Sequence, residues 1–371
     1  CGLGLGAGSA VAAKPLKVFV LVGQSNMQGH AQIRTFEHIG MDPKTAPLLA
    51  AIQDDDGKPT VCEDVWVSYL SRGGEKRGRL TAGFGADENK IGPELTFGIT
   101  IQKILDEPVL IIKTAWGGKS LHTDFRPPSA GEYEFSETQL ERFQKQRKDL
   151  SAIKADKIKA TGHYYRLTIE HVKKVLEDIK QVYPDYDPDQ GFELAGLVWF
   201  QGWNDMVDSG TYPNRGQPGG YDQYSELLSQ FIREVRKDLS APDMPFVIGV
   251  MGVGGPVNQY PPEKKRHEAV HQTFRDAMAA PAALPEFKGN VAAVLTENAW
   301  DLELAALKAR EDKLKQKAKK LRTEKQLSRA EERAALDEML AEEFNDDEIN
   351  VLRTGVSNAE YHYLGSSKVM A

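Results

Sequence analysis

Five short apolar runs, at residues 18–22, 109–112, 194–200, 246–250 and 291–295, recur along the chain with helical patterns between them. Each is rich in β-branched residues and bounded by Gly, Pro or polar turns, the pattern of strands in a sheet covered on both faces. Residues 93–105, 164–179, 224–239 and 264–279 carry apolar side chains at helical spacing. Strand-helix alternation of this kind predicts an α/β fold with a five-stranded parallel sheet in the order 2-1-3-4-5. Strands 1 and 3 would then flank the point where the winding reverses, and ligands bind at the carboxyl ends of the strands there. Residues 65–70 and the Gly-rich stretch 72–92 read together as a surface insertion, with a hairpin as its candidate form, before the first main helix.

Composition excludes several classes of partner. The 371-residue chain has a formal charge of −7, so no basic excess points to nucleic acid. Two cysteines, Cys1 and Cys62, give neither a disulfide framework nor a cysteine metal site. No apolar run reaches the ~20 residues of a membrane span. Residues 1–13, small and apolar, read as the remnant of a signal peptide with a cleavage site at Ala10, Val11 and Ala12. They lead to the expectation of a secreted or periplasmic protein. Residues 301–349 hold no Gly or Pro and are dense in Lys, Arg and Glu, with Leu307, Leu314 and Leu321 seven apart. Ser328 and Glu331 have the spacing of a capping box. This stretch is expected to be an inserted helical hairpin, a solvated pair or a surface for self-association. The expected division is a leader at 1–13, a main domain at 14–300 and 350–371, and the hairpin at 301–349.

The chemistry-bearing residues follow the strands. The first run ends in Gly23-Gln24-Ser25-Asn26-Met27, which sets a hydroxyl between two amides at a strand's carboxyl end. A serine there can serve as a nucleophile if a base and oxyanion donors are supplied. After the second run come Gly117, Gly118 and Ser120, where glycine lets backbone N–H groups approach a ligand. After the third come Gln201-Gly202-Trp203-Asn204-Asp205, whose asparagine offers a side-chain N–H. Near the end stands Glu360-Tyr361-His362, a histidine able to take a serine proton. Gln24, Gln201 and Arg126 are the candidate substrate contacts, Arg126 as a partner for a sugar carboxylate. A literal His-Glu-x-x-His at His267, Glu268 and His271 is read as a covering helix and not as a zinc site.

This ordered set resembles the SGNH-hydrolase superfamily, and within it the sialate O-acetylesterase-like and acetylxylan-esterase-like carbohydrate esterases. The resemblance implies a flavodoxin-like three-layer α/β/α sandwich and hydrolysis of acetyl esters on carbohydrate, with no metal or cofactor. It implies Ser25 as nucleophile, His362 as base, and Ser25 N–H, Gly118 N–H and Asn204 as oxyanion donors. Two departures stand out. Trp203-Asn204 replaces the Glu-Ser of the related carbohydrate esterases, and Ala359 occupies the position of the acid that precedes the histidine. Glu360, Asp301 or a backbone carbonyl remain as groups to orient His362. The alternatives are another ester or thioester hydrolase on the same scaffold, or an inactive glycan-binding domain.

Overall fold

The computed structural model describes residues 14–371, so the expected leader at 1–13 lies outside the described residues. The chain forms β1 (Leu16–Gly23), the hairpin β2 (Cys62–Ser71) and β3 (Gly74–Leu80), then β4 (Val109–Ala115), β5 (Phe192–Phe200), β6 (Phe246–Val250) and β7 (Val291–Leu295). These make one sheet in the order β3-β2-β4-β1-β5-β6-β7. Every neighbour is parallel except the β2–β3 hairpin. The sheet thus has seven strands, which corrects the expected five. Residues 65–70, expected in a surface insertion, sit in β2 because Val65, Val67 and Tyr69 alternate inward and the strand pairs along β4. β3 caps that edge with Glu75, Lys76, Arg77 and Arg79, charges that discourage pairing with another chain. At the opposite edge β7 buries only Val291 fully.

Helices α1 (Glu94–Leu105), α2 (His163–Glu177), α3 (Asp222–Asp238) and α4 (Glu268–Ala279) cover the sheet. In α3 the buried Tyr224, Leu227, Leu228, Phe231, Ile232 and Val235 form one apolar stripe at helical spacing, which is why the segment docks. Residues 301–349 differ from the expected hairpin by a third helix. α5 (Leu302–Lys325) and α6 (Arg329–Glu343) run antiparallel, tied by Arg322–Glu332 and Arg310–Glu343 pairs. The Ser328–Glu331 box caps α6. A second box, Asn345 with Glu348, restarts the chain as α7 (Asp346–Gly355). α7 returns the chain to the short helix Phe36–Gly40 beside β1. Among the described residues no helix is long and apolar enough to cross a membrane.

β4 is buried along its whole length, Lys113 included. A buried ammonium needs a counter-charge and acceptors. Lys113 Nζ donates to Glu94 Oε2 at 2.5 Å, Gln28 O at 2.9 Å and Phe84 O at 2.8 Å. Burial pulls its pKa down and the Glu94 carboxylate opposes that pull. Glu94 in turn accepts from Gly92 N at 2.9 Å. The pair therefore locks the turn following Ser25 to the entry of α1. Lys113→Ala should lower unfolding free energy by about 3–5 kcal/mol in urea titrations, because it strands a buried carboxylate. The double variant Lys113→Met/Glu94→Leu should recover most of that loss.

Candidate active site

At Gly23 the backbone passes so close to β5 that a Cβ would stand 2.1 Å from Phe200 O, so glycine is obligatory. The chain then turns into the single helical turn Ser25–Gln28. Ser25 is buried to 8% exposure, and its Oγ lies 3.5 Å from Gln24 Nε2. Across from it, Gly117 is confined: a Cβ there would meet Gln28 Oε1 at 2.9 Å and Ser25 Cβ at 3.9 Å. Gly118 has φ +74°, a left-handed conformation that favours glycine.

Gln24 and Gln201, expected as substrate contacts, are turned inward instead. Both are buried and their carboxamides are consumed internally. Gln24 Oε1 accepts from Gln201 Nε2 at 3.2 Å and Gly202 N at 3.1 Å. Gln24 Nε2 donates to Asn204 Oδ1 at 3.0 Å. Gln201 Nε2 also reaches Lys119 O at 3.0 Å and Asp205 Oδ2 at 2.6 Å. Asp205, fully buried, accepts from Leu121 N at 2.8 Å, His122 N at 3.0 Å and Tyr212 OH at 3.2 Å. Desolvation raises its pKa and these donors and His122 oppose the rise. The ends of β1, β4 and β5 are thereby joined in one polar network. Because Asn204 Oδ1 is held by Gln24, its Nδ2 amide is left unengaged. Among the described residues, Ser25 N–H, Gly118 N–H and Asn204 Nδ2 donate to no protein group.

Arg126, the third expected substrate contact, is likewise buried. Its guanidinium binds Gly131 O at 2.8 Å, Ala130 O at 2.8 Å and His122 O at 3.2 Å, so it is engaged in folding its own loop.

His362 reaches the neighbourhood of Ser25 through tertiary clamps. Ser357 Oγ accepts from Gln32 N at 3.1 Å, and Ser367 N donates to Thr35 Oγ1 at 3.1 Å. Arg34 Nη2 donates to Val356 O at 2.9 Å. The turn Glu360–Gly365 consequently packs on the turn Ser25–Gln28. No hydrogen bond joins Ser25 Oγ to His362 among the described residues. Directly after the histidine, Tyr363 and Leu364 both take left-handed φ, +53° and +59°. Strain of this kind costs on the order of 1–3 kcal/mol per residue and persists only where surroundings enforce it. Here they do: Tyr363 OH is buried, accepting from Gly252 N at 2.8 Å and bonded to Thr296 Oγ1 at 2.8 Å.

The group that orients His362 is Asn358. Its Oδ1 lies 3.1 Å from His362 Nδ1, so Nδ1 carries the proton and Nε2 keeps its lone pair. Glu360 does not perform this role, because its carboxylate is paired with Lys264. Asp301 does not either; it caps α5 at Leu304 N (2.9 Å) and pairs with Lys368 at 3.0 Å. The sequence reading also missed His30, which stacks on His362 with ring centroids 4.0 Å apart and planes 5° from parallel. Burial, followed by the charge of Lys90, lowers the His362 pKa to about 4. Burial and the neighbouring imidazole bring His30 to about 4 as well. The buried His122 has both ring nitrogens occupied, by Asp208 at 3.2 Å and Thr123 Oγ1 at 2.6 Å. In the His-Glu-x-x-His stretch, His271 Nδ1 is bonded to Tyr260 OH at 2.7 Å and Glu268 pairs with Lys265 at 3.1 Å.

A serine at the carboxyl end of the first strand of a mostly parallel sheet, with unengaged N–H donors from neighbouring segments, is the arrangement that serine hydrolysis on an α/β scaffold would require. The family described as "Carbohydrate esterase, sialic acid-specific acetylesterase" matches residues 15–297. The chain belongs to that family. His362 and helices α5 to α7 lie beyond the matched residues. No curated protein sequence matches the chain. Two solved structures are similar at 14% identity. A carbohydrate acetylesterase from Xanthomonas citri gives a TM-score of 0.42, with 75% of this chain and 49% of that one covered. A protein from Arabidopsis thaliana gives 0.40, with 76% and 86% covered. This chain thus spans about half the length of the former.

Since a base must be deprotonated to act, the His362 pKa sets the acid limit. The acid limb of kcat/KM for an aryl acetate should fall near pH 4 instead of near ~6.5, the ordinary histidine value. Asn358→Ala should lower kcat by about 10- to 100-fold through loss of imidazole orientation, whereas Glu360→Gln should leave it within about twofold.

Proposed function

We propose that the protein removes O-acetyl groups from carbohydrate through an acyl-enzyme on Ser25. His362 Nε2 takes the Ser25 proton as Oγ attacks the acetyl carbonyl. The N–H groups of Ser25 and Gly118 and the Nδ2 amide of Asn204 hold the oxyanion. The protonated imidazole, its Nδ1–H on Asn358, gives the proton to the departing sugar oxygen. Water then repeats the sequence and releases acetate. Hydrogen bonds between nucleophile and base are often long in free enzymes and tighten with substrate, which accommodates the open Ser25–His362 contact.

The observation that carries this reading is the coincidence of unengaged donors with a tautomer-fixed imidazole around one buried serine. Family membership favours acetylated sugar as the substrate, with sialate and xylan-type acetyl groups as the first candidates. We also propose that the protein acts outside the cytoplasm, on the strength of residues 1–13 in the sequence.

Ser25→Ala should abolish hydrolysis of aryl acetates and of acetylated glycans, measured as acetate release from purified protein. Asn204→Ala should lower kcat by about 10²–10³, equivalent to ~2.7–4 kcal/mol of transition-state stabilisation. Wild-type rates in Ser25→Ala would refute the mechanism, and release from aryl acetates without any release from acetylated sugars would refute the substrate class.

A further inference from the structure

Beside the His362 turn lies a groove of about 1260 Å³ whose lining includes neither Ser25, His362 nor the oxyanion donors. One wall is the first half of α5, with Ala305, Ala306 and Ala309 facing it. The other is the segment around Pro261 and Lys264, and Asn358, Ala359 and Glu360 close one end. Asn358 therefore belongs to both places: it borders the groove, and its Oδ1 holds the imidazole of His362. The α5 wall follows the last residue of the family match, so this groove is an addition particular to a chain with these helices.

The charge pattern narrows the occupant. Lys264 pairs with Glu360, Lys313 with Glu263 at 3.1 Å, and Lys308 with Glu311 at 3.2 Å. Arg310 is held by Glu343 at 2.9 Å and Glu348 at 2.6 Å. These cations are neutralised by the protein itself, and among the described residues Arg266, which bonds His267, is the one lining cation with no carboxylate partner, so the groove carries little of the field that recruits a polyanion. Trp300, Leu302 and Leu364 join the alanines in its lining, and the ion pairs interrupt that apolar surface, which sets it apart from a continuous lipid site. Small alanine side chains beside paired charges suit a neutral ligand that offers C–H faces together with many hydroxyls. The volume exceeds the ~300–1,000 Å³ of sites for single small molecules, which points to a chain of sugar units.

We propose that the groove binds the saccharide chain that bears the ester, beyond the acetylated unit at Ser25. This rests on the acetylesterase reading above. The protein would then prefer oligomeric over monomeric acetyl sugars, and a chain in the groove would press on the residue that orients the base.

The test compares wild type with Ala306→Trp and Gln316→Trp, two exposed α5 positions on the groove where a bulky residue fills it without touching the core. Substrates are an aryl acetate, mono-O-acetylated xylose, xylobiose and xylohexaose, and O-acetylated sialic acid both free and within sialyllactose. Wild type should show kcat/KM at least about tenfold higher for the longest member of the series it accepts than for the monosaccharide. Both variants should erase that preference through KM, with aryl acetate turnover within about twofold of wild type. A wild type indifferent to chain length, or variants that keep the preference while circular dichroism shows them folded, would overturn the groove assignment and leave the esterase reading standing. A wild type inert toward every ester would instead remove the esterase reading, and this proposal with it.

Discussion

The carboxamide of Gln24 is the contact on which the site depends. It stands where β1, β4 and β5 end, and through Gln201 and Asp205 it engages the backbone of both neighbouring loops. Buried polar groups at such a junction are stabilising only when every donor and acceptor finds a partner. Here nearly all do, and the result is geometric. The network fixes Asn204 with its N–H group outward and sets Gly117 against Ser25. The donors left without protein partners are the ones an oxyanion would use. Beneath it, the buried Lys113–Glu94 pair holds Gln28 O at the far end of the serine turn.

Delivery of the histidine is a separate problem, solved at the other end of the chain. α5, α6 and α7 return the backbone to β1, and hydroxyl clamps at Thr35, Ser357 and Ser367 seat the final turn. The consecutive left-handed residues Tyr363 and Leu364 are tolerated because Tyr363 is anchored to the end of β6 through Gly252. Placing His362 thus consumes local strain, a pattern common where position matters more than stability. Its environment also keeps the imidazole neutral well into acid, as the base proposed above requires.

How far the sequence could be read depended on whether the signal was local. The central strands and covering helices were legible because apolar periodicity records burial directly. β2 was misread as an insertion because its alternating face becomes meaningful only once β4 lies alongside. Lys113 sits past the end of a legible apolar run, and its burial follows from Glu94 arriving from another element. Gln24 and Gln201 stood out as polar side chains at strand ends, and their carboxamides turn out to bond within the protein. An internal amide and one aimed at substrate look the same in one dimension.

For the base, sequence spacing suggested Glu360 as the nearest carboxylate, yet a turn with two left-handed residues sends that side chain to Lys264 and brings Asn358 to the ring. His30 carried no recognisable motif; only the stacking of two distant loops reveals it. The sequence by itself determined the alternating α/β order and the serine at the first strand's end, because hydrophobic burial and glycine sterics act over a few residues. Tertiary structure alone decided which polar groups satisfy one another and which stay open to a ligand, because hydrogen-bond partners are chosen by position in space, across segments hundreds of residues apart.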